Sequence, residues 1–212
     1  MRSEIEDAEY HRAILEKALR LLIEEIGEIP IGLPGQFPYG WRKAAKGRTV
    51  WRILEELISQ NLESHAGRLG LKDFRPADSE VGVYDFSFEL EDSKPIYVNI
   101  KSAVQGRKPS KDDVSKADKL IAFFEKTPDL TLFIATIEIA FLVDPVRLKL
   151  VNCYVVPTAW LPDLYVNPSN NANLQSAKYK DLDAAVRRGR LEFIALLKEK
   201  LAEARQKRLK RL

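Results

Sequence analysis

The hydrophobic pattern changes its period at Gly70, and this change constrains the fold more than any other feature of the sequence. Before Gly70 the apolar residues recur at helical spacing, and after it they stand in short runs or at every second position. Strands are predicted at residues 71–74, 81–90, 96–101, 130–143 and 148–156.

Helices are predicted before, between and after these strands. Residues 4–26 form an amphipathic pattern with Ser3 as its cap, and residues 49–62 form a second one. A third helix is predicted at 111–126 and a basic one at 183–212, with an interruption near Gly189. Residues 29–40 and 160–180 are rich in turn-forming residues and are predicted to be loops.

This order of elements predicts an α/β (α+β) fold with a central mixed β-sheet flanked by helices. The first three strands should form a meander, and the fourth should return through a helical crossover. We expect a single domain over residues 1–212. It would comprise an N-terminal helix with a basic loop (1–48), a core (49–143), and a part with a strand, a loop and the basic helix (144–212).

The composition excludes several classes of protein. The chain has one Cys and two His, so a disulfide framework, a structural zinc site and histidine-based catalysis are not expected. Any metal ion should be hard and bound by oxygen. The apolar runs are too short to span a bilayer, and the acidic start resembles no signal peptide, so we expect a soluble, cytoplasmic protein.

Charge is unevenly distributed although the net charge is only +3. Residues 1–28 hold eight acidic and four basic residues, whereas 187–212 hold ten basic and three acidic ones. A second basic cluster comprises Arg42, Lys43, Lys46, Arg48 and Arg52. Each cluster alone is typical of a solvated helix face, but several patches around one fold favour a nucleic-acid partner.

An aspartate within an apolar strand is the most informative single position. Asp85 lies between Tyr84 and Phe86, and burial of a carboxylate is unfavourable unless it is paired, hydrogen-bonded or bound to metal. On the next strand Asn99 and Lys101 are two residues apart and therefore point to one face. Beside Asp85 they would provide two oxygen donors for a hard cation, together with an ammonium group.

This arrangement resembles the PD-(D/E)xK nuclease superfamily, which includes most type II restriction endonucleases. The matching positions are Asp85, Asn99 and Lys101, and the predicted order of elements over 49–143 is similar to the family's restriction-endonuclease-like core. The family often has a further Glu on the preceding helix, for which Glu55 is the first choice because it borders the apolar stripe. Asn99 departs from the pattern, where an acid is usual, and this increases the importance of Glu55, Glu80 and Glu89 as candidate acids.

The resemblance implies Mg²⁺-dependent hydrolysis of DNA at a specific short double-stranded sequence, with catalytic residues Asp85, Asn99, Lys101 and Glu55. Mg²⁺ held by Asp85, Asn99 and Glu55 would neutralise negative charge that develops on the phosphate, and Lys101 would orient the attacking water. Two alternatives remain open. One is a structure-specific nuclease of the same fold that resolves junctions or acts in repair, and the other is a DNA-binding protein without activity.

DNA contacts are expected from two segments. The first is the amide-rich loop, whose side chains suit base edges, and the second is the start of the second helix. The predicted contacts are Asn170, Asn171, Asn173, Gln175, Lys178, Arg42, Lys43, Lys46 and Arg48. A homodimer is expected because cutting both strands of a palindrome needs two symmetric sites.

Each position also has a purely structural interpretation. Asp85 would accept hydrogen bonds from a loop, Lys101 would be an ordinary strand lysine, and Glu55 would be solvated. The loop would then use Asn and Ser for its turns.

Overall fold

The computed structural model describes residues 2–33, 35–39, 41, 47–78, 82–91, 93–108, 110–126, 130–143, 146–169 and 171–210, with the backbone alone at 47–49. Its strands are β1 Glu28–Gly32, β2 Lys72–Pro76, β3 Phe86–Glu89, β4 Ile96–Val104, β5 Asp112–Lys116, β6 Thr131–Leu142, β7 Val146–Pro157, β8 Tyr165–Val166 and β9 Asn173–Ser176. Its helices are α1 Glu4–Ile26, α2 Gly47–Ser64, α3 Ala66–Leu69, α4 Ala117–Lys126 and α5 Arg190–Leu209, with a 3₁₀ turn at Thr158–Trp160.

The main sheet has six strands in the order β1-β7-β6-β4-β3-β2. Strands β2, β3 and β4 pair antiparallel as a meander, whereas β4 and β6 pair parallel over the whole of β4. A parallel pair needs a crossover, and β5 with α4 provides it. The mixed sheet flanked by helices is therefore confirmed, including the meander and the helical crossover.

Two apolar clusters cover the two faces of this sheet. Alternate residues of β4, such as Val98 and Ile100, join Leu54 and Ile58 of α2 in the first cluster. Leu132 and Ile134 of β6 point the other way and join Leu120 of α4 in the second cluster. Successive side chains of a strand point to opposite faces, so this alternation fixes which face each polar residue of β4 and β6 occupies.

Helix α1 has the bounds that the sequence predicts because both ends carry clear signals. Ser3 and Glu6 form a capping box, in which Ser3 N donates to Glu6 Oε2 at 2.8 Å. At the other end Gly27 adopts φ 62°, a conformation that glycine reaches without strain. Leu15, Leu19 and Leu22 are fully buried beneath the helix.

The predicted strand at residues 81–90 is too long. The strand begins only at Phe86, so Asp85 precedes β3 and does not lie within it. The reason is the pairing itself, because the register between β3 and β4 runs from Phe86 to Phe88. Val81 lies outside the described residues.

The predicted helix at residues 111–126 is wrong in its first half. Asp112–Lys116 forms β5, which pairs antiparallel with β9. Val114 is buried in the second cluster from a strand, while the helical pattern holds only from Ala117 onward.

The predicted loops at 29–40 and 160–180 contain strands. Glu28–Gly32 pairs with β7 at the edge of the main sheet, where Pro30 is tolerated. Tyr165–Val166 and Asn173–Ser176 pair with each other and, through β9, with β5 in a separate three-stranded sheet. The last helix starts at Arg190, after the predicted interruption at Gly189.

Within the described residues no helix is long and apolar enough to cross a membrane. The assignment of residues 1–212 to one domain stays a prediction.

Candidate active site

Asp85 occupies a fixed position beside β4, immediately before β3. Its backbone N–H donates to the Val98 carbonyl at 2.8 Å, and its own carbonyl accepts from Ala77 N at 2.8 Å. Its carboxylate Oδ2 accepts from the backbone N–H of Ile100 at 2.6 Å. The carboxylate therefore provides the acceptor for Ile100 just beyond the end of the β3–β4 pairing, on the side from which the chain enters β3.

Asn99 and Lys101 lie on one face of β4, as the spacing predicts. Val98 and Ile100 between and beside them belong to the first apolar cluster, on the opposite face. Asn99 is 7% exposed, and its Nδ2 donates to the Val83 carbonyl at 3.0 Å. Its Oδ1 is buried and has no hydrogen-bond partner among the described residues.

Lys101 is half-buried beside these groups. Among the described residues it donates no hydrogen bond and has no carboxylate within 4.0 Å of Nζ. Burial lowers the pKa of its ammonium group, and the charges of Asp85 and Glu55 oppose that shift. The ammonium thus stands within the electrostatic reach of both carboxylates without being locked to either.

Glu55 brings a second carboxylate to Asp85 and Lys101 from helix α2. It is half-buried while Glu56 faces water, as the helical spacing predicts. Burial raises the pKa of Glu55 to about 7, the charge of Asp85 raises it as well, and Lys101 and Arg52 lower it. Burial also raises the pKa of Asp85, against the Ile100 hydrogen bond and the charges of Lys101 and Arg52.

These residues fit a hard divalent cation. The carboxylates of Asp85 and Glu55 are partly desolvated and repel each other, which a cation between them would relieve. Asn99 Oδ1, which has no partner among the described residues, could serve as a further oxygen donor. In the described part of the chain no group of three or more His, Cys, Asp or Glu has a metal-binding arrangement. The site therefore depends on the amide oxygen of Asn99 to complete the set.

The other candidate acids do not join this group in the described structure. Glu89 lies at the far end of β3 from Asp85, where it pairs with Lys72 of β2. It is not among the charges that shift the pKa of Asp85. Glu80 lies outside the described residues.

The amide side chains predicted to read DNA are engaged within the three-stranded sheet. Asn173 Nδ2 and Gln175 Nε2 donate to the two carboxylate oxygens of Asp113, at 3.1 Å and 2.6 Å. Lys178 pairs with Asp181 at 2.8 Å, and Asn171 is exposed with φ 48°. Arg42, Lys43, Lys46 and Asn170 lie outside the described residues, and of Arg48 only the backbone is described.

Two groups near the site are missed by the sequence patterns. The charge of Arg52 lowers the pKa of both Glu55 and Asp85. The sequence signal for this interaction was the spacing of three residues between Arg52 and Glu55 on one helix. The charges of Asp112 and Asp113 on β5 raise the pKa of Lys101. No local signal could have placed them there, because their position depends on pairing with β9.

An open groove elsewhere contains none of the predicted site residues. It is lined by Arg2, Ile5, Glu6, Glu9, Tyr10 and Arg187.

No family model matches the chain, and no curated protein sequence matches it. Among solved structures, the fold is similar to that of NlaIV restriction endonuclease, at 13% sequence identity and a TM-score of 0.38, over 75% of this chain and 75% of that one. A likeness this loose describes the course of the backbone and has no bearing on substrate or activity.

Proposed function

We propose that this protein is a Mg²⁺-dependent endonuclease that hydrolyses phosphodiester bonds of double-stranded DNA at a specific short sequence. One observation carries the proposal: the charges of Asp85, Glu55 and Lys101 act on one another, and Asn99, on the face of β4 that carries Lys101, has an Oδ1 without a hydrogen-bond partner among the described residues. Carboxylate and amide oxygens with an adjacent ammonium are the groups that metal-assisted phosphodiester hydrolysis needs.

Asp85 and Asn99 are the principal ligands in this proposal, and Glu55 is the third. The Ile100 N–H holds one oxygen of Asp85, so the other oxygen stays available. The Val83 carbonyl fixes the amide nitrogen of Asn99, so its Oδ1 points away from Val83. Mg²⁺ bound there would supply positive charge against the charge that develops on the phosphate oxygens.

Lys101 has a separate role. Its ammonium has no ion-pair partner within 4.0 Å among the described residues, so it can contact the scissile phosphate and orient the attacking water. The charges of Asp85, Glu55, Asp112 and Asp113 favour its protonated form against the effect of burial.

The surface that reads DNA is proposed to include the three-stranded sheet. Asp112 and Asp113 of this sheet are among the charges that favour the protonated form of Lys101. Asn171, Asn173, Gln175 and Lys178 would contact DNA from this sheet, and Arg42, Lys43, Lys46, Arg48 and Asn170 are proposed as further DNA contacts. Two copies of the chain would cut the two strands of a palindromic site.

The test is incubation of defined plasmid DNA with the protein in Mg²⁺ or in EDTA. We expect discrete DNA fragments with Mg²⁺ and no cleavage with EDTA. Cutting confined to branched DNA would instead identify a structure-specific nuclease, and binding without any cutting would overturn the proposal.

Variants connect the activity to the site. Asp85→Asn keeps the acceptor for Ile100 N–H and removes the charge, and Lys101→Met keeps the stem and removes the ammonium. Each should reduce cleavage at least ~100-fold, within the range for loss of one catalytic group, while DNA binding stays measurable. Asp73→Asn and Lys72→Met on the exposed strand β2 are the matched controls, and full activity of either site variant would show that the site is misplaced.

A further inference from the structure

Thr136 adjoins Lys101 on the same face of the main sheet. The register pairs Lys101 with Thr136 across the parallel strands β4 and β6. Ala135 and Ile137, on either side of Thr136, belong to the first apolar cluster on the opposite face. The Thr136 side chain therefore shares the face of Asn99 and Lys101.

The hydroxyl of Thr136 has no partner in the described structure. The residue is 0% exposed, and its Oγ1 forms no hydrogen bond with any described group. A buried hydroxyl left unpaired is unfavourable, and valine would fill the same space without that cost. Like Asn99 Oδ1 on the same face, this hydroxyl is a buried oxygen with no hydrogen-bond partner among the described residues.

We propose that Thr136 is a positioning residue for Lys101, and that its hydroxyl binds a buried water that accepts a hydrogen bond from the Lys101 ammonium. A hydroxyl can donate to one water and accept from another, and an ammonium has three donors, so both groups suit a shared water. Lys101 is the cationic side chain paired with Thr136 in the register.

The consequence for Lys101 is a restricted orientation. A lysine side chain has many accessible rotamers, so an unanchored ammonium spends part of its time away from the reacting phosphate. An anchor at Thr136 would raise the turnover rate, while DNA affinity, which depends on many phosphate contacts, would hardly change. This catalytic consequence rests on the proposed function.

The first test uses three variants of the full chain on plasmid DNA. Thr136→Val should lower kcat about tenfold with KM within twofold, because misplacement of a catalytic group costs rate and not binding. Thr136→Ser keeps the hydroxyl and should restore kcat to within about twofold of the wild type. Thr158→Val is the matched control. Thr158 is also 0% exposed, and its Oγ1 has no hydrogen-bond partner among the described residues, but it lies four residues beyond Tyr154, the partner of Thr136 on β7.

The second test does not depend on cleavage. The ¹H–¹⁵N signal of the Lys101 ammonium, assigned with Lys101→Met, should be protected from exchange with solvent in the wild type and in Thr136→Ser. It should exchange at least several-fold faster in Thr136→Val. This readout supports the inference even if the wild type cuts no DNA, which would overturn the proposed function alone.

Three results would overturn the inference. The first is an equal rate of Lys101 ammonium exchange in the wild type and in Thr136→Val. The second is a loss of kcat in Thr136→Ser as large as that in Thr136→Val. The third is a loss of kcat in Thr158→Val as large as that in Thr136→Val.

Discussion

The amide nitrogen of Asn99 donates to the backbone carbonyl of Val83 at 3.0 Å, which fixes the orientation of the Asn99 side chain. A carbonyl oxygen can only accept, so the nitrogen must face Val83 and the oxygen must face the opposite way. Asn99 thus ties the segment before β3 to β4 and at the same time presents a neutral oxygen beside Asp85.

Asn99→Asp should exchange structural stability for affinity for the cation. In EDTA a carboxylate oxygen would face the Val83 carbonyl, and we expect the free energy of unfolding to fall by roughly 1–3 kcal/mol. The Mg²⁺ concentration for half-maximal cleavage should fall about tenfold, equivalent to ~1.4 kcal/mol of binding. Denaturant titration and cleavage at graded Mg²⁺ measure the two effects.

Asn61→Asp is the control for this exchange. Asn61 Nδ2 donates to the Leu57 carbonyl at 2.8 Å within α2, so the variant loses a similar bond without adding a ligand at the site. An unchanged Mg²⁺ requirement in Asn99→Asp would show that Asn99 is not a ligand.

Glu55→Gln should change how stability depends on pH in metal-free buffer. The pKa of Glu55 is raised from 4.5 to about 7 in the folded state, so the folded protein retains a proton that the unfolded chain releases. The free energy of unfolding of the wild type should therefore fall as the pH rises from about 4.5 to about 7. Glu55→Gln lacks this fall and should be more stable than the wild type at pH 8 by on the order of 2 kcal/mol, and equal to it at pH 4.

Denaturant titrations across pH with EDTA test this expectation, with Glu56→Gln on the exposed side of the same helix as the charge control. Saturating Mg²⁺ should reduce the difference between Glu55→Gln and the wild type, since the ion stabilises the ionised carboxylate. If the free energy of unfolding of Glu55→Gln and of the wild type depends on pH in the same way in EDTA, the raised pKa of Glu55 is contradicted.

Cys153 should resist thiol reagents until the protein unfolds. The residue is 0% exposed, and burial raises the pKa of its thiol to about 12. The thiolate is the reactive form, so at pH 8 both access and ionisation oppose the reaction. Labelling should start with the denaturant transition seen by circular dichroism, and rapid stoichiometric labelling in native buffer would refute the buried position.

Glu4 should stabilise the start of the last helix from a distance. Gly189 caps α5 without a side chain, and Glu4 Oε1 accepts from Arg190 N at 2.6 Å instead. Glu4→Ala should lower the free energy of unfolding by about 1 kcal/mol, as for other helix caps. Glu4→Gln keeps an acceptor oxygen and should cost less.

A second substitution tests whether capping is the cause. Gly189→Ser in the Glu4→Ala background supplies a cap of its own and should recover most of the loss. In the wild-type background it should not stabilise, since a Cβ at Gly189 would lie 2.9 Å from Glu4 Oε2. Failure to recover would assign the effect of Glu4→Ala to α1 alone.

Local signals account for the parts of the fold that the sequence predicts correctly. The capping box at Ser3 and Glu6 and the glycine at 27 delimit α1, and the buried stripe delimits α2. Strands β1 and β5 lack such signals, because their partners β7 and β9 are distant in the chain. Strands β8 and β9 pair with each other, but they are too short to show a period-two pattern in a segment rich in turn-forming residues. The sequence singles out Asp85 and Lys101 as candidates because a charged group among closely spaced apolar residues is unusual, although Asp85 lies just before β3 and not within a strand. Thr136 gives no such signal, since threonine is common in strands.

The pairing of β1 with β7 has a consequence for how the chain acquires its structure. Glu28 is matched with Lys149 across the sheet, so β1 leaves the ribosome roughly a hundred residues before its partner, and this long loop must close before the edge of the sheet exists. Until β7 has been synthesised, the apolar face of α1 has no strand to pack against and is exposed to solvent. We therefore expect slow refolding, with an early phase that forms β4, β6 and α4 and a late phase in which the N-terminal helix docks.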